Sequence, residues 1–154
     1  MKNIGVSIIT VVYNNIRGIE RTIQSVLNQS YNNIEYIIID GGSTDGTLDV
    51  IKRYENRISY WISEADEGIY NAMNKGILKA HGSFLNFMNS GDTFVTSTTI
   101  ERLIERYEKG DKIIYGNILK CYDRRKERTS GIVSSHPDII DFYKNMINHQ
   151  AAFK

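Results

Sequence analysis

Three polar segments in this 154-residue chain each follow a run of apolar, largely β-branched or aromatic residues. Tyr13-Asn14-Asn15 follows Val6 to Val12. Asp40-Gly41-Gly42-Ser43-Thr44-Asp45-Gly46 follows Ile37-Ile38-Ile39. Asn89-Ser90-Gly91-Asp92 follows Phe84 to Met88. Asp40 is a carboxylate beside two glycines, which permit a sharp turn and the close approach of a ligand. A carboxylate there suits a donor, such as a base N–H or a ribose hydroxyl, better than a diphosphate. It equally suits a turn or a helix cap, since Asp and Gly dominate turns. Asp92 offers oxygen to a hard divalent cation, with water and a ligand's phosphates completing the shell. A plain Ser-Gly-Asp turn is its structural alternative. Tyr13 offers a ring for stacking on a flat base, or is one more half-buried tyrosine among ten.

Other residues carry less. Asp66 and Glu67 precede a helix start, where the dipole favours acids, and Glu64 stands close by. Lys75 is spaced to reach a phosphate or to lie at the surface. His149 and Gln150 are polar residues near the chain end, and His149 is the acid–base candidate there. The glycine loop has neither Walker nor dinucleotide spacing, and no lysine follows it. That counts against phosphoryl and hydride transfer.

The elements that must position these residues follow from periodicity. Val6 to Val12 and Ile37 to Asp40 are apolar at nearly every position, as strands buried on both faces are. Helices are predicted from Arg17 to about Asn28, on Ile19, Ile23, Val26 and Leu27, and from Thr47 to Tyr54, seated by Leu48, Ile51 and Tyr54. Ile58 to Ile62 is predicted as a short strand. Ile69, Ala72, Met73, Gly76, Ile77 and Ala80 make an apolar stripe on a helix from Ile69 to Ala80. Phe84 to Met88 is the fourth strand, and a helix through Ile100, Leu103, Ile104 and Tyr107 stops at Gly110. Lys112 to Tyr115 and Ile118 to Tyr122 are predicted strands, paired about Gly116-Asn117. Asp123 to Arg128 is predicted as a solvated loop. Ile139, Tyr143, Met146 and Ile147 predict a last short helix. Alternating strands and helices imply βαβ units and a mostly parallel sheet. Tyr13, Asp40 and Asp92 then gather at the carboxyl edge, where open α/β sheets bind ligands.

Bulk properties narrow the partners. The chain is long enough for one domain with a sizeable core. It is 41% hydrophobic and 24% charged, with net charge +1, so there is no bulk electrostatic case for nucleic acid. One cysteine, Cys121, excludes an internal disulfide framework and fits a reducing compartment. The opening residues run straight into a strand and leave no room for a signal peptide. No apolar run approaches the roughly 18 residues of a membrane span.

Several ordered motifs resemble the nucleotide-binding part of family 2 glycosyltransferases, which have the GT-A fold. They are Ser7 to Asn14, Ile39 to Thr47, Ser63 to Gly76, Ala80-His81-Gly82 and Phe87 to Asp92. Beyond these, His149 to Phe153 is similar to a His-Gln segment in relatives that build bacterial surface polysaccharides of the colanic-acid type. The resemblance implies an α/β fold: a single GT-A, Rossmann-like domain with a mostly parallel sheet flanked by helices. Its nucleotide-sugar part covers about 5–95. The start of an acceptor-side part covers about 96–154, with the rest expected to be truncated. The implied activity is inverting transfer of a sugar from a nucleoside diphosphate sugar, UDP first, to a saccharide or lipid-linked acceptor. The nucleotide-binding set it implies is Thr10, Val12, Tyr13, Asn14, Asp40, Gly41, Asp66, Lys75, Ser90 and Gly91. Asp92 is implied as the ligand of Mn²⁺ or Mg²⁺. A cytoplasmic location follows, with peripheral association at the inner face of the membrane through a lipid-linked acceptor. The general base is expected beyond this chain, with His149 the candidate inside it.

The chain departs from the commoner family pattern. Val11-Val12 replaces Pro-Thr before the tyrosine, Gly41 replaces a second acid, and Asn89 replaces the first acid of the metal motif. Weaker metal binding than a two-acid motif gives is expected. A binding module without turnover and a nucleotidyltransferase are the competing readings.

Overall fold

The computed structural model describes residues 4–109, 114–115, 118–122, 125–129 and 152–153. Strands β1 (Val6–Val12), β2 (Ile34–Asp40), β3 (Tyr60–Ser63) and β4 (Phe84–Phe87) form one sheet in the order β3-β2-β1-β4. All three pairings are parallel, and the register sets Val12 beside Asp40 and Asp40 beside Ser63. The carboxyl ends of these neighbours therefore lie together. Helices α1 (Ile16–Leu27), α2 (Thr47–Arg53), α3 (Ile69–Lys79) and α4 (Thr99–Glu105) connect or follow the strands.

Alternate residues of the inner strands feed two cores. Val6, Ile8, Tyr36 and Ile38 pack with Ile19, Ile23 and Val26 of α1, Ile51 of α2 and Ile100 of α4. Ile9, Val11, Ile37 and Ile39 pack on the other face with Ala72 of α3. Each fully buried isoleucine contributes about 1.5–3 kcal/mol, so these faces hold the sheet flat against its helices.

Several boundaries differ from the sequence expectation. Strand β2 starts at Ile34 because β1 pairs with it along its whole length. A 3₁₀ turn at Glu55–Arg57 follows α2, and its closing bond from Ile58 N–H to Glu55 O delays β3 to Tyr60. Helix α2 buries Thr47, Val50 and Ile51, so Leu48 is not its core contact. In α3 only Ala72 and Gly76 are buried, while Ile69 and Ile77 are 49% and 41% exposed. Small residues at the contact draw the helix axis onto the sheet and leave the larger ones at the rim. A Cβ at Gly76 would overlap Ile9 Cγ2. Gly76→Leu is therefore expected to cost about 2–3 kcal/mol by overpacking, read as a lowered urea midpoint. An unchanged midpoint would contradict this close approach.

The later strands pair differently from expectation. β5 (Ile114–Tyr115) pairs antiparallel with β8 (Ala152–Phe153), and β6 (Ile118–Tyr122) pairs with β7 (Arg125–Thr129). A two-residue strand gives β6 few ladder bonds, whereas β7 matches it over five residues. The charged residues 125–128, expected as loop, form a strand because the backbone ladder needs no apolar side chain. The predicted helix around Ile139 to Ile147 and the residues His149 and Gln150 lie outside the described residues.

At the amino edge of the sheet, Glu35 accepts from Ser7 Oγ at 2.5 Å and from His81 N at 2.8 Å, and its Oε1 lies 2.8 Å from His81 Nδ1. Burial works against ionisation of Glu35, but the bonds from the His81 amide, the Ser7 hydroxyl and the His81 ring outweigh it and hold the carboxyl below the usual glutamate range. A carboxyl with a depressed pKa stabilises the fold above its unfolded value, and that contribution is lost as pH falls through the folded value. Glu35→Gln is expected to lose less stability than the parent between neutral and acid pH in urea titrations. Parallel acid limbs would refute this linkage.

Candidate functional site

A cleft of about 500 Å³ opens at the carboxyl edge, lined by Val11, Val12, Tyr13, Gly41, Ala65, Asp66, Gly68, Ile69 and Ala72. Tyr13 is 66% exposed, so its ring is a wall of the cleft and not a core side chain. A Cβ added at Gly41 would stand 3.4 Å from Tyr13 Cδ2 and 3.3 Å from Asp66 Oδ2. Gly41 thus keeps the space between those two groups open. The amino end of α3 reaches the cleft through Gly68 and Ile69, and no side chain caps it. Uncapped helix N–H groups and the helix dipole favour an anion.

Asp40 lies beneath this surface and is fully buried. Its Oδ2 accepts from Gly42 N at 3.2 Å, Ser43 N at 2.9 Å and Ser63 Oγ at 2.5 Å, and its Oδ1 accepts from Ser43 Oγ at 2.5 Å. Ser43 Oγ in turn accepts from Asn14 N at 2.7 Å, and Asn14 Oδ1 accepts from Thr44 N at 2.8 Å. One carboxylate therefore ties together the loops after β1, β2 and β3. The turn expected as its alternative role is present, and it extends to two further strands. Asn14 has φ +46°, a left-handed conformation that asparagine tolerates better than most residues. Asp45 accepts from Ile16 N at 2.9 Å and from Thr47 N at 3.0 Å, anchoring the starts of α1 and α2. The Thr47 hydroxyl, then the Ile16 amide, hold its carboxyl below the usual range against a small burial effect.

Lys75 is committed at the cleft's edge. It bonds to Asp66 Oδ1, to Glu64 Oε1 at 2.7 Å and to Ala65 O at 3.3 Å. The Asp66 carboxylate first and Glu64 second hold the ammonium above its usual range. Reaching a phosphate would require Lys75 to leave these partners. Thr10 is fully buried, with Oγ1 3.1 Å from the Tyr36 hydroxyl, and does not line the cleft.

The loop after β4 stands on the far side of β1 from β2 and β3. Ser90 N donates to Val11 O at 3.1 Å, and Asp92 N donates to Asn89 O at 3.0 Å. Gly91 has φ +104°, a turn conformation that favours glycine. Asn15 joins this loop to the others: its Nδ2 donates to Ser90 O at 3.1 Å and Ser90 Oγ at 3.0 Å, while its N–H donates to Thr47 Oγ1 at 3.1 Å. Asn15 Oδ1 also caps α1 through Gly18 N at 3.1 Å.

The structure thus brings Val12, Tyr13, Gly41 and Asp66 together in the cleft, with Asp40 and Asn14 bracing it and Lys75 paired to Asp66. Ser90, Gly91 and Asp92 form a neighbouring loop linked through Asn15. Sequence reasoning missed Asn15 and Ser63. The strand register that sets Ser63 beside Asp40 was its available signal.

A cation fits here only in one form. Among the described residues no group of three His, Cys, Asp or Glu side chains could hold a metal ion. Asp92 alone suits a hard divalent ion that arrives with a diphosphate, since Mg²⁺-type ions take one or two carboxylates plus ligand phosphates.

The model of Glycosyl transferase family 2 matches residues 7–152. The chain belongs to that family. Two similar relatives are an uncharacterised glycosyltransferase of Mycobacterium tuberculosis, 42% identical over 101 residues, covering 65% of this chain and 38% of the relative, and TuaG of Bacillus subtilis, named for teichuronic acid biosynthesis, 42% identical over 90 residues, covering 56% and 36%. The family 2 chain therefore spans well under half the length of either. Among solved structures, the mannosyltransferase PcManGT of Pyrobaculum calidifontis with GDP-Man and Mn²⁺ aligns with TM-score 0.63 at 20% identity, over 68% of this chain and 32% of that one. TarS of S. aureus with UDP-GlcNAc aligns with TM-score 0.60 at 24% identity, over 66% and 30%. These likenesses give the family 2 chain the GT-A fold.

Proposed function

We propose that this family 2 chain binds a nucleoside diphosphate sugar, UDP-linked first, across its strand ends, and that it transfers the sugar with inversion to a hydroxyl acceptor in surface polysaccharide synthesis. The observation that carries the reading is the cleft itself. An exposed aromatic ring, a glycine gap, a half-buried acid and an uncapped helix end converge beside a loop bearing one carboxylate. The bound UDP-GlcNAc of TarS and GDP-Man of PcManGT support the donor class. The naming of TuaG for teichuronic acid supports the pathway class.

In this reading Tyr13 stacks on the base, and Val12 and the Gly41 gap shape its pocket. Asp40 holds the pocket's loops in place. Asp66 stands beside the ribose and diphosphate, with Lys75 setting its orientation. The N–H groups at the start of α3 meet the diphosphate. Asp92, with the donor's phosphates, would hold Mn²⁺ or Mg²⁺, which would supply Lewis-acid neutralisation of the leaving group. Ser90 and Gly91 set the course of the loop that carries Asp92. A general base takes the acceptor proton. His149 is its candidate in this chain, and the region from about 96 to 154 belongs to the acceptor side.

Among the described residues no helix is long and apolar enough to cross a membrane. Work at the inner face of a membrane would then rest on a lipid-linked acceptor.

Calorimetric titration with UDP, GDP and dTDP, each with Mn²⁺ and with chelator, tests the reading. Mn²⁺-dependent binding of UDP is expected. Failure of all three nucleotides to bind would overturn it. Binding with no transfer to any acceptor would leave a nucleotide-sugar-binding module.

A further inference from the structure

Polar side chains of α1, and Gln29 just past its end, bond to the segment after β4. Ser25 Oγ accepts from Phe94 N at 2.9 Å. Gln29 Nε2 donates to Thr96 O at 2.8 Å, and Gln29 Oε1 accepts from Ile100 N at 3.2 Å. One turn up the helix from Ser25, Thr22 Oγ1 accepts from Gly91 N at 2.9 Å and lies 2.8 Å from Asp92 O and 3.3 Å from Gly18 O. Arg21 Nη2 adds a bond to Gly91 O at 3.3 Å.

A hydroxyl has one proton. The shorter contact takes it to Asp92 O, so Thr22 binds the turn from both sides: it accepts from the residue before the acid and donates to the acid's own carbonyl. Thr22 is fully buried, so water cannot replace either bond. The fourth strand ends at Phe87, five residues before the acid; Met88 N and Ser90 N still donate to Ile9 O and Val11 O of β1, so Gly91 and Asp92 are the part of the turn that lies past that ladder.

We infer that Thr22 is a positioning residue for Asp92: its hydroxyl fixes the backbone on both sides of Gly91, and so sets where the carboxylate meets a phosphate-bound cation. This rests on the donor reading above. It adds that the cation affinity of the site is governed from inside α1, by a residue that touches neither ligand nor metal.

Thr22→Val keeps the shape and removes both bonds, whereas Thr22→Ser keeps both. UDP titrated into each full chain, with Mn²⁺ and with chelator, separates the effects. Thr22→Val is expected to weaken Mn²⁺-dependent UDP binding roughly tenfold, the scale of lost bonds at a metal's outer shell, and to leave binding in chelator unchanged. Thr22→Ser should stay close to the parent. Amide hydrogen exchange at Gly91 should quicken in the valine variant and not in the serine one. If Thr22→Val does not fold, Thr22→Ala, which also removes both bonds, decides: weaker Mn²⁺-dependent binding supports the inference, and unchanged binding overturns it. Mn²⁺-dependent binding in the parent with no shift in Thr22→Val overturns this inference and leaves the donor reading standing. No nucleotide binding by the parent overturns both.

Discussion

Asp92→Ala is expected to abolish Mn²⁺-dependent nucleotide binding while leaving the fold in place. Among the described residues no group of three His, Cys, Asp or Glu side chains could hold the ion by itself. Outer-shell changes at metal sites commonly cost 10–100-fold, so loss of the carboxylate that the proposed function makes a ligand should cost on the order of 100-fold or more. The turn's bonds to Thr22 run through the backbone of Gly91 and Asp92, which alanine preserves. Titration of UDP with Mn²⁺ and with chelator reads the first effect, and thermal melting reads the second. Metal-dependent binding that persists in a folded Asp92→Ala protein would remove Asp92 from the site.

Asp40→Ala should do the reverse and damage the fold first. Two backbone N–H groups, those of Gly42 and Ser43, lose their acceptor, and the hydroxyls of Ser43 and Ser63 lose theirs. The hydroxyls can turn to other acceptors, but the amides cannot. Leaving buried donors unsatisfied costs about 1–3 kcal/mol each, and these two amides are only part-buried, so a loss of about 2–4 kcal/mol is expected in urea unfolding. Asp40→Asn should also destabilise, because its amide group would face donors with donors. Nucleotide binding should fall with the loss of loop order. If Asp40→Ala lost nucleotide binding at undiminished stability, the carboxylate would be a direct ligand of the base and not the brace that its buried bonds describe.

These two residues show what the sequence made legible. Ile37-Ile38-Ile39-Asp40 was readable as a buried strand ending in a site, because burial on both faces erases polar alternation. The order of polar loops along one edge followed from βαβ alternation. The roles inside the edge were harder to read. A buried carboxylate bonded to its own loop and an exposed one facing a ligand have the same sequence. Thr22 and Ser25 lie in the predicted helix but off its apolar stripe, and Asn15 and Gln29 lie outside it, while the loop that meets all four comes from residues 90–100. Their helical spacing was visible, but nothing local says what lies opposite. The stripe of α3 was legible as a helix, but how deeply each of its residues sits was not. Periodicity finds a face, and Gly76 against Ile9 decides how deep that face sits.

The central position of β1 also bears on the order in which the molecule is assembled. Its pairs with β2 join residues 28 apart, as in Ser7 with Glu35, whereas those with β4 join residues 78 apart, as in Ser7 with Leu85. Closing the longer span costs about 0.6 kcal/mol more per doubling of length. The β1–β2 pair is thus expected to form early, and β4 to dock onto an existing edge. A chain emerging from the ribosome would complete the Tyr13–Gly41 wall before the Asp92 loop exists. On the proposed function, cation-dependent ligand capture would then come later than the groove, and a nascent or half-folded chain would hold a groove that cannot yet retain a diphosphate.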